Sequence, residues 1–144
     1  LFNLEQTAHS PHYYYHKFDP EDKKSHRRSV YRFVVRSQPN PFMTTLDCAD
    51  SSQSTPRRNE TLTALQALSL LNNKFTLSMS QHFAERLTKE GKGSGYQIKA
   101  GFKLVAGRSP NPEEYQLLVQ YEEKHGMANL CRSLFSLSEF AFID

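Results

Sequence analysis

The chain has 144 residues, enough for one domain with its own core, and its hydrophobic content of 38% excludes wholesale disorder. Its formal charge is only +3, from 18 basic and 15 acidic residues spread evenly along the chain, which disfavours a nucleic-acid binder. No apolar run approaches the roughly 20 residues of a membrane-spanning helix, so we predict no membrane span.

The first 26 residues show no sustained period of a helix or a strand. We predict that residues 1–26 form a loop or linker and that the chain is the C-terminal piece of a longer protein. Three histidines in this stretch, His9, His12 and His16, have the composition of a metal site. Because Pro11 lies among them in an irregular segment, the sequence favours a loop without a metal.

A short β-branched and aromatic stretch follows, from Val30 to Val35, and its length suits either a strand or one buried helical turn. Pro39 and Pro41 are predicted to end it, because the residue before a proline is pushed out of helical dihedral angles. Residues 47–59 are polar and rich in turn formers, which predicts an ordered loop.

Five helices are predicted after that loop, each from apolar residues at helical spacing. The first begins at a capping box, in which the side chains of Thr63 and Gln66 each bond the other's backbone amide. Its apolar stripe consists of Leu62, Leu65, Leu68 and Leu71, and the pair Asn72 and Asn73 marks its end. We expect this leucine stripe to face a core shared by all five helices.

Glycines and a proline mark the boundaries of the other four helices. The second helix carries Phe75, Met79, Phe83 and Leu87 and stops at a flexible loop with Gly91, Gly93 and Gly95. The third carries Ile98, Phe102 and Val105 and is capped by Gly107. The fourth begins at Asn111 and Pro112, carries Tyr115, Leu118 and Val119, and ends at Gly126. The fifth carries Met127, Leu130, Cys131, Leu134 and Phe135, and an extended, docked end is predicted to hold Phe140, Phe142 and Ile143.

Together these patterns predict a mainly α fold. We expect a small bundle of about five helices, with an irregular N-terminal arm that leaves room for one short strand or hairpin. The predicted domain organisation follows from the same patterns: residues 1–26 are a loop or linker from the parent protein, and residues 27–144 are the helical C-terminal domain.

The chain lacks the sequence motifs of the common cofactor sites and catalytic centres. Covalent haem attachment needs the order C-x-x-C-H, whereas this chain has only Cys48 and Cys131, so we predict no haem in this segment. We also assign it no metal site and no catalytic residue. The two cysteines are candidates for a disulfide, but two separate buried thiols are the favoured interpretation.

The candidate site is a polar network that consists of Arg28, Asp47, Asp50, Arg57 and Arg58. The turn between Pro39 and Pro41 can fold its two segments together, and guanidinium groups pair with carboxylates through two parallel hydrogen bonds. Three interpretations stay open: a solvated charged face, an internal network that holds the arm to the first helix, and a site for an anionic sugar or phosphate. In a further alternative, Asp47 and Asp50 are the paired carboxylates of a glycoside hydrolase.

Several stretches of the chain carry a family resemblance by their order and spacing. They are RRSVYRF at 27–33, LDCAD at 46–50, TPRRN at 55–59, TLTALQAL at 61–68, LLN at 70–72, AERL at 84–87, GRSP at 107–110 with the acidic pair at 113–114, and LFSLSEF at 134–140. From residue 27 onwards the chain resembles the planctomycete-specific domain of the first type, a domain of unknown function that closes large proteins with cytochrome-c-like domains upstream. It departs from that pattern at Ala64, Gly101, Ser136 and Ser138.

The resemblance implies a parent protein that is exported to the periplasm or another extracytoplasmic space, with any haem held by its upstream part. It also implies related genes that accompany polysaccharide breakdown, and it implies no catalytic residues. We therefore expect a non-catalytic structural or interaction domain that docks on the upstream domains. The alternative is a part of a carbohydrate-active or redox enzyme, with an Asp/Arg site shared between the two parts.

Overall fold

The computed structural model describes residues 4–7, 10–23, 26–31, 35, 38–50, 53–57, 61, 63–89, 91 and 93–141. Within these residues the chain is mainly helical, with six α-helices and one two-stranded sheet, which confirms the predicted fold class. The chain divides into two compact units, Leu1–Ser69 and Leu70–Asp144, and each is described by itself. The predicted boundary after residue 26 lies inside the first unit and stays a prediction.

The first unit begins with a β-hairpin of strands β1 (Leu4–Thr7) and β2 (Ser10–Tyr13), in which Leu4 pairs with Tyr13 and Thr7 with Ser10. The predicted fold left room for one short strand or hairpin, but these residues were interpreted as a loop or linker. Each strand has only four residues, and β2 contains a proline. The sequence of these strands therefore lacks the alternation of apolar and polar residues from which a strand is predicted. A turn of 3-10 helix follows at Tyr15–Lys17.

The start of the Val30–Val35 stretch is neither a strand nor a buried helical turn. A 3-10 turn spans Ser29–Tyr31, and the side chains of Val30 and Tyr31 are exposed. Val35 is buried and forms an isolated β-bridge with Gln38, whose carbonyl also accepts a hydrogen bond from Tyr15 Oη at 2.7 Å. Residues 32–34 lie outside the described residues.

Helix α1 (Pro41–Thr45) begins where the sequence predicted only a break. Asn40 is its N-cap: the side-chain oxygen accepts from Phe42 N at 3.0 Å and from Met43 N at 3.3 Å. Pro41 occupies the first helical position, where its missing N–H costs nothing. The same Asn-Pro pair was recognised at residues 111–112, so the signal for α1 was present in the sequence.

Helix α2 (Ala64–Asn72) has the predicted boundaries but not the predicted orientation. The capping box is confirmed, with Thr63 N donating to Gln66 Oε1 at 3.0 Å and Gln66 N donating to Thr63 Oγ1 at 3.2 Å. The expectation that the leucine stripe faces a core is wrong for Leu65 and Leu68, which are 63% and 54% exposed, whereas Gln66 is only 7% exposed. Leu71 is half-buried, and Leu62 lies outside the described residues. The buried residue of this helix is therefore its polar one.

The second unit holds the hydrophobic core. Its helices are α3 (Lys74–Lys89), α4 (Ser94–Ala106), α5 (Pro112–Leu134) and α6 (Ser138–Ala141), and α5 packs against both α3 and α4. The most deeply buried side chains are those of Leu87, Ile98, Leu130, Cys131 and Leu134. All five were predicted to be core residues from helical spacing alone.

Helix α5 combines the fourth and fifth predicted helices. Asn111 caps it in a reciprocal capping box with Glu114, and Pro112 is its first residue, as predicted. At Gly126 the backbone has φ 78° and ψ 164°, which are not helical values, so the predicted break is confirmed as a kink between two helical segments.

Two predictions about the remaining boundaries are wrong. Gly95 lies inside α4 rather than in a loop, and a Cβ added there would be 2.5 Å from Tyr115 Oη, which explains why a glycine fits this close helix contact. Phe140 belongs to the short helix α6 instead of an extended end, while residues 142–144 lie outside the described residues. None of the described helices is long and apolar enough to cross a membrane.

Candidate functional site

The end of α1 places Asp47 in an uncommon backbone conformation. Leu46 is the C-cap, and Asp47 follows it with φ 55°, the left-handed conformation that glycine usually adopts at this position. Two backbone hydrogen bonds close the turn, from Asp47 N to Thr44 O at 3.1 Å and from Cys48 N to Met43 O at 3.0 Å. The turn directs the carboxylate of Asp47 towards the start of α2.

We call Asp47, Thr61, Thr63 and Gln66 the Asp47 cluster. Asp47 Oδ2 accepts three hydrogen bonds: from Thr61 N and Thr61 Oγ1, each at 2.7 Å, and from Gln66 Nε2 at 2.9 Å. Gln66 Nε2 also donates to Thr61 Oγ1 at 3.0 Å, while Gln66 Oε1 accepts from the capping box. Both polar ends of the buried Gln66 side chain are thus satisfied. This network of hydrogen bonds to the carboxylate holds Gln66 inward, while Leu65 and Leu68 face outward.

The structure describes four of the five residues of the predicted Asp/Arg network, namely Arg28, Asp47, Asp50 and Arg57. Asp47 lies at the centre of the Asp47 cluster, where Thr61 and Gln66 donate hydrogen bonds to it. Asp50 accepts from Gln53 Nε2 at 3.0 Å, and Arg28 and Arg57 are exposed. Arg58 lies outside the described residues. The guanidinium part of the network, and with it the anionic ligand, stays a prediction.

A second polar cluster, which sequence reasoning did not predict, joins α4, α5 and α6. Its members are Arg108, Asn111, Glu114 and Glu139, and we call it the Arg108 cluster. Arg108 forms two hydrogen bonds to Glu114, from Nη1 at 2.9 Å and from Nη2 at 2.7 Å, and Nε donates to Glu139 at 2.8 Å. Glu114 also accepts from Asn111 N at 2.7 Å. One guanidinium therefore connects the starts of two helices.

The charges of the Arg108 cluster stabilise one another although all three side chains are partly exposed. Hydrogen bonds from Arg108, and next from the Asn111 amide, lower the pKa of Glu114 from 4.5 to about 2. The bonds to Glu114 and Glu139 raise the pKa of Arg108 above its usual value. The stretches 107–110, 113–114 and 134–140 were each singled out in the sequence, but nothing in their spacing showed that they meet.

The two cysteines are free thiols in different surroundings. Cys48 is exposed beside Asp47, whereas Cys131 is buried within the core of the second unit. Burial raises the pKa of the Cys131 thiol to about 12, because the apolar surroundings disfavour the thiolate. The interpretation of two buried thiols is therefore wrong for Cys48. Among the residues that the structure describes, no three His, Cys, Asp or Glu side chains converge as a metal site.

An open groove of about 680 Å³ runs along α3. Its floor contains two small residues, Ala84 and Ala128, and polar side chains line the rest, namely Gln81, Glu85, Thr88 and Lys89. Glu85 and Lys89 lie four residues apart on the same helix, so their opposite charges are neighbours. The groove therefore selects no particular ligand charge.

No curated protein and no solved structure matches the chain. One family model, described as a protein of unknown function (DUF1553), matches residues 3–122, which include the N-terminal hairpin and the whole Asp47 cluster. The match thus begins before residue 27, where the resemblance found in the sequence started. Because it covers most of the chain, this protein belongs to the PSD1 family of unknown function.

Proposed function

We propose that this chain is a non-catalytic structural or interaction domain that docks on the upstream domains of a larger protein. The observation that carries the proposal is a pair of large apolar side chains on the outer side of α5: Leu117 is 66% exposed and Tyr121 is 38% exposed. They lie four residues apart, so they share one face of the helix. Single exposed leucines are ordinary, whereas paired apolar side chains at helical spacing are typical of a contact surface.

This α5 face is distinct from the side of α5 that packs inside the unit. Tyr115, Leu118 and Val119 are partly buried, as their predicted stripe requires, and Leu117 lies off that stripe. The ring of Tyr121 lies against that of His125, with centroids 4.6 Å apart and planes tilted by 42°, which extends the face by another turn. Aromatic residues of this kind supply an apolar body with a polar tip and are enriched at protein interfaces.

The internal use of the polar side chains supports a structural role rather than a catalytic one. Asp47 and Gln66 satisfy each other within the Asp47 cluster, and the charges of Arg108 and Glu114 are paired. A catalytic carboxylate would instead be directed at a substrate position. The resemblance to the planctomycete-specific domain supports the finer context that we propose: an exported, extracytoplasmic parent whose upstream domains are cytochrome-c-like and hold haem, in a setting of polysaccharide breakdown.

The proposal is tested by producing the chain and the upstream part of its parent as separate polypeptides and measuring their affinity by calorimetry. We expect binding that weakens about tenfold or more in Leu117→Gln/Tyr121→Gln, which corresponds to roughly 1.4 kcal/mol. The matched control is Leu65→Gln, because Leu65 is equally exposed but lies on α2. Absence of binding, or equal losses in the α5 and α2 variants, would contradict docking through α5.

A further inference from the structure

The two ends of α5 lie against the same part of α4. A Cβ added at Gly95 would lie 2.5 Å from Tyr115 Oη, near the start of α5. A Cβ added at Gly101 would lie 3.8 Å from Leu134 Cδ1, at its end. The two glycines are separated by about 9 Å along α4, whereas a straight α5 would separate Tyr115 from Leu134 by about 28 Å. The kink in α5 is therefore sharp enough to fold the helix back on itself.

A single residue makes this bend. Gly126 has φ 78° and ψ 164°, a combination that residues with a side chain essentially never adopt. A Cβ at this position would meet no atom within 4 Å, so the backbone angles require glycine and close packing does not. The side chain of Asn129 spans the bend, with Nδ2 donating to His125 O at 2.8 Å. The path of α5 thus depends on the conformation of one backbone position.

The sequence also permits a straight α5. From Glu113 to Leu134 the chain contains no proline and no glycine other than Gly126, so only residue 126 has to become helical for the two segments to join. The boundary between α4 and α5 is different, because Pro110 and Pro112 follow its glycine and prevent one continuous helix. Gly126 therefore has the properties of a hinge with two conformations.

The residues after the hinge supply much of the core of the second unit, and we call residues 127–141 the exchange segment. Leu130, Cys131 and Leu134 are among the most deeply buried side chains, and Phe135 stacks on Phe83 of α3 with ring centroids 5.5 Å apart. A straight α5 would withdraw this segment from its own core. The same segment of a second copy would restore the lost contacts residue for residue, which no unrelated partner does.

We propose that Gly126 is a hinge through which two copies of this chain exchange the segment 127–141, with a straight α5 running from one copy into the other. The exchanged segment makes the same contacts in the monomer and in the dimer, so the balance between them depends on the hinge residue and on protein concentration. This inference goes beyond the proposed function, because the exchange involves the core side of α5 and no upstream domain.

Gly126→Ala tests the hinge, and Gly107→Ala is its matched control. The two glycines have φ of 78° and 74° and open space for a Cβ, so both substitutions strain the backbone without a clash. Only at residue 126 does a longer helix relieve the strain. In sedimentation of the 16.6 kDa chain at one concentration, we expect at least tenfold more dimer for Gly126→Ala than for the wild type, and no increase for Gly107→Ala.

Dilution distinguishes an exchanged dimer from a surface contact. An exchanged dimer separates only when the segment leaves a core, so dimer isolated by size exclusion should persist for hours after dilution. Tagged and untagged dimers should form mixed dimers only when they are unfolded and refolded together. The wild-type chain, refolded at high concentration, should give a small fraction of the same persistent dimer.

Three outcomes would overturn the proposal: a folded Gly126→Ala chain that stays monomeric, a dimer that dissociates at once on dilution, or an equal increase of dimer in Gly107→Ala. Circular dichroism establishes that the variants fold. If Gly126→Ala does not fold, the refolded wild-type chain decides the question, and absence of a persistent dimer from it would contradict the exchange.

Discussion

The starts of α2 and α5 use the same local device in two different surroundings. Each helix begins with a reciprocal capping box, Thr63 with Gln66 at α2 and Asn111 with Glu114 at α5. At α2 the third residue of the helix is neutral and buried, and a carboxylate satisfies its amide. At α5 that residue is a carboxylate, it is partly exposed, and a guanidinium pairs with it.

The two clusters therefore have different roles: the Asp47 cluster sets the orientation of α2, whereas the Arg108 cluster only connects helices. A buried amide that loses its partner pays the full cost of desolvation, whereas an exposed ion pair that is broken regains water. The Asp47 cluster can therefore determine which side of α2 faces outward. The Arg108 cluster connects α4, α5 and α6 without burying a polar group, so its contribution should be smaller and sensitive to salt.

The largest effect is expected for Asp47→Ala. This change removes the acceptor of three hydrogen bonds and leaves the amide of Gln66 buried, and we expect a loss of about 2 kcal/mol in the free energy of unfolding, measured by urea denaturation. Part of that loss comes from the left-handed backbone at residue 47, which alanine tolerates poorly.

Two control variants divide the Asp47 effect into its causes. Asp47→Gly relieves the backbone and loses only the hydrogen bonds, so it should be about 1 kcal/mol more stable than the alanine variant. Asp50→Ala removes an exposed carboxylate three residues away and should change stability by less than about 0.5 kcal/mol. Equal losses at the two aspartates would show that Asp47 has no special role.

A smaller effect is expected for Asn111→Ala at the start of α5. The substitution removes the side-chain oxygen that accepts from Glu114 N at 2.7 Å, and N-cap losses of this kind cost about 1 kcal/mol. Thermal unfolding measures it, and Asn111→Asp is the control because aspartate caps a helix equally well. A loss of stability larger than that of Asp47→Ala would contradict the expectation that the start of α2 contributes more than the start of α5.

The Arg108 cluster should respond to pH and salt. Because the folded-state pKa of Glu114 lies below its unfolded value, its contribution is fully present above about pH 4.5 and is lost as the pH falls towards 2. We expect wild-type stability to fall more steeply over this interval than that of Arg108→Gln, and 1 M salt to reduce the difference. Parallel pH profiles of the two proteins would contradict the pairing.

The two thiols should differ in reactivity, and this prediction involves no change in the stability of the chain. A thiol reagent at pH 8 is expected to modify the exposed Cys48 in the folded chain and Cys131 only after unfolding, because burial keeps the latter protonated and inaccessible. The Cys48→Ser variant supplies the control, with no fast-reacting thiol. A count of zero thiols in unreduced, denatured protein would instead establish the Cys48–Cys131 disulfide.

Local signals in the sequence predicted the helices well. The capping boxes at Thr63 and Asn111, the left-handed Gly107 and the break at Gly126 each depend on neighbouring residues alone, and all four are present in the structure. Helix α1 carried the same kind of signal at Asn40 and was missed because its prolines were taken only as breakers.

Contacts between distant residues were not predictable from spacing. Gln66 is buried because of Asp47, nineteen residues earlier, and Arg108 meets Glu139 thirty-one residues later. Arg132 likewise donates to Leu71 O at 2.7 Å across sixty-one positions. The leucine spacing of α2 was compatible with a buried stripe, and only the long-range partner of Gln66 reverses its orientation.

A double-mutant cycle between Asp47 and Gln66 tests most directly whether this hydrogen-bonded pair orients α2. Unfolding free energies of the wild type, Asp47→Ala, Gln66→Ala and the double variant give the coupling energy of the two side chains. The hydrogen bond at 2.9 Å between the half-buried Asp47 carboxylate and the buried Gln66 amide predicts a coupling of about 1 kcal/mol or more. Additive losses, with a coupling below about 0.3 kcal/mol, would contradict it.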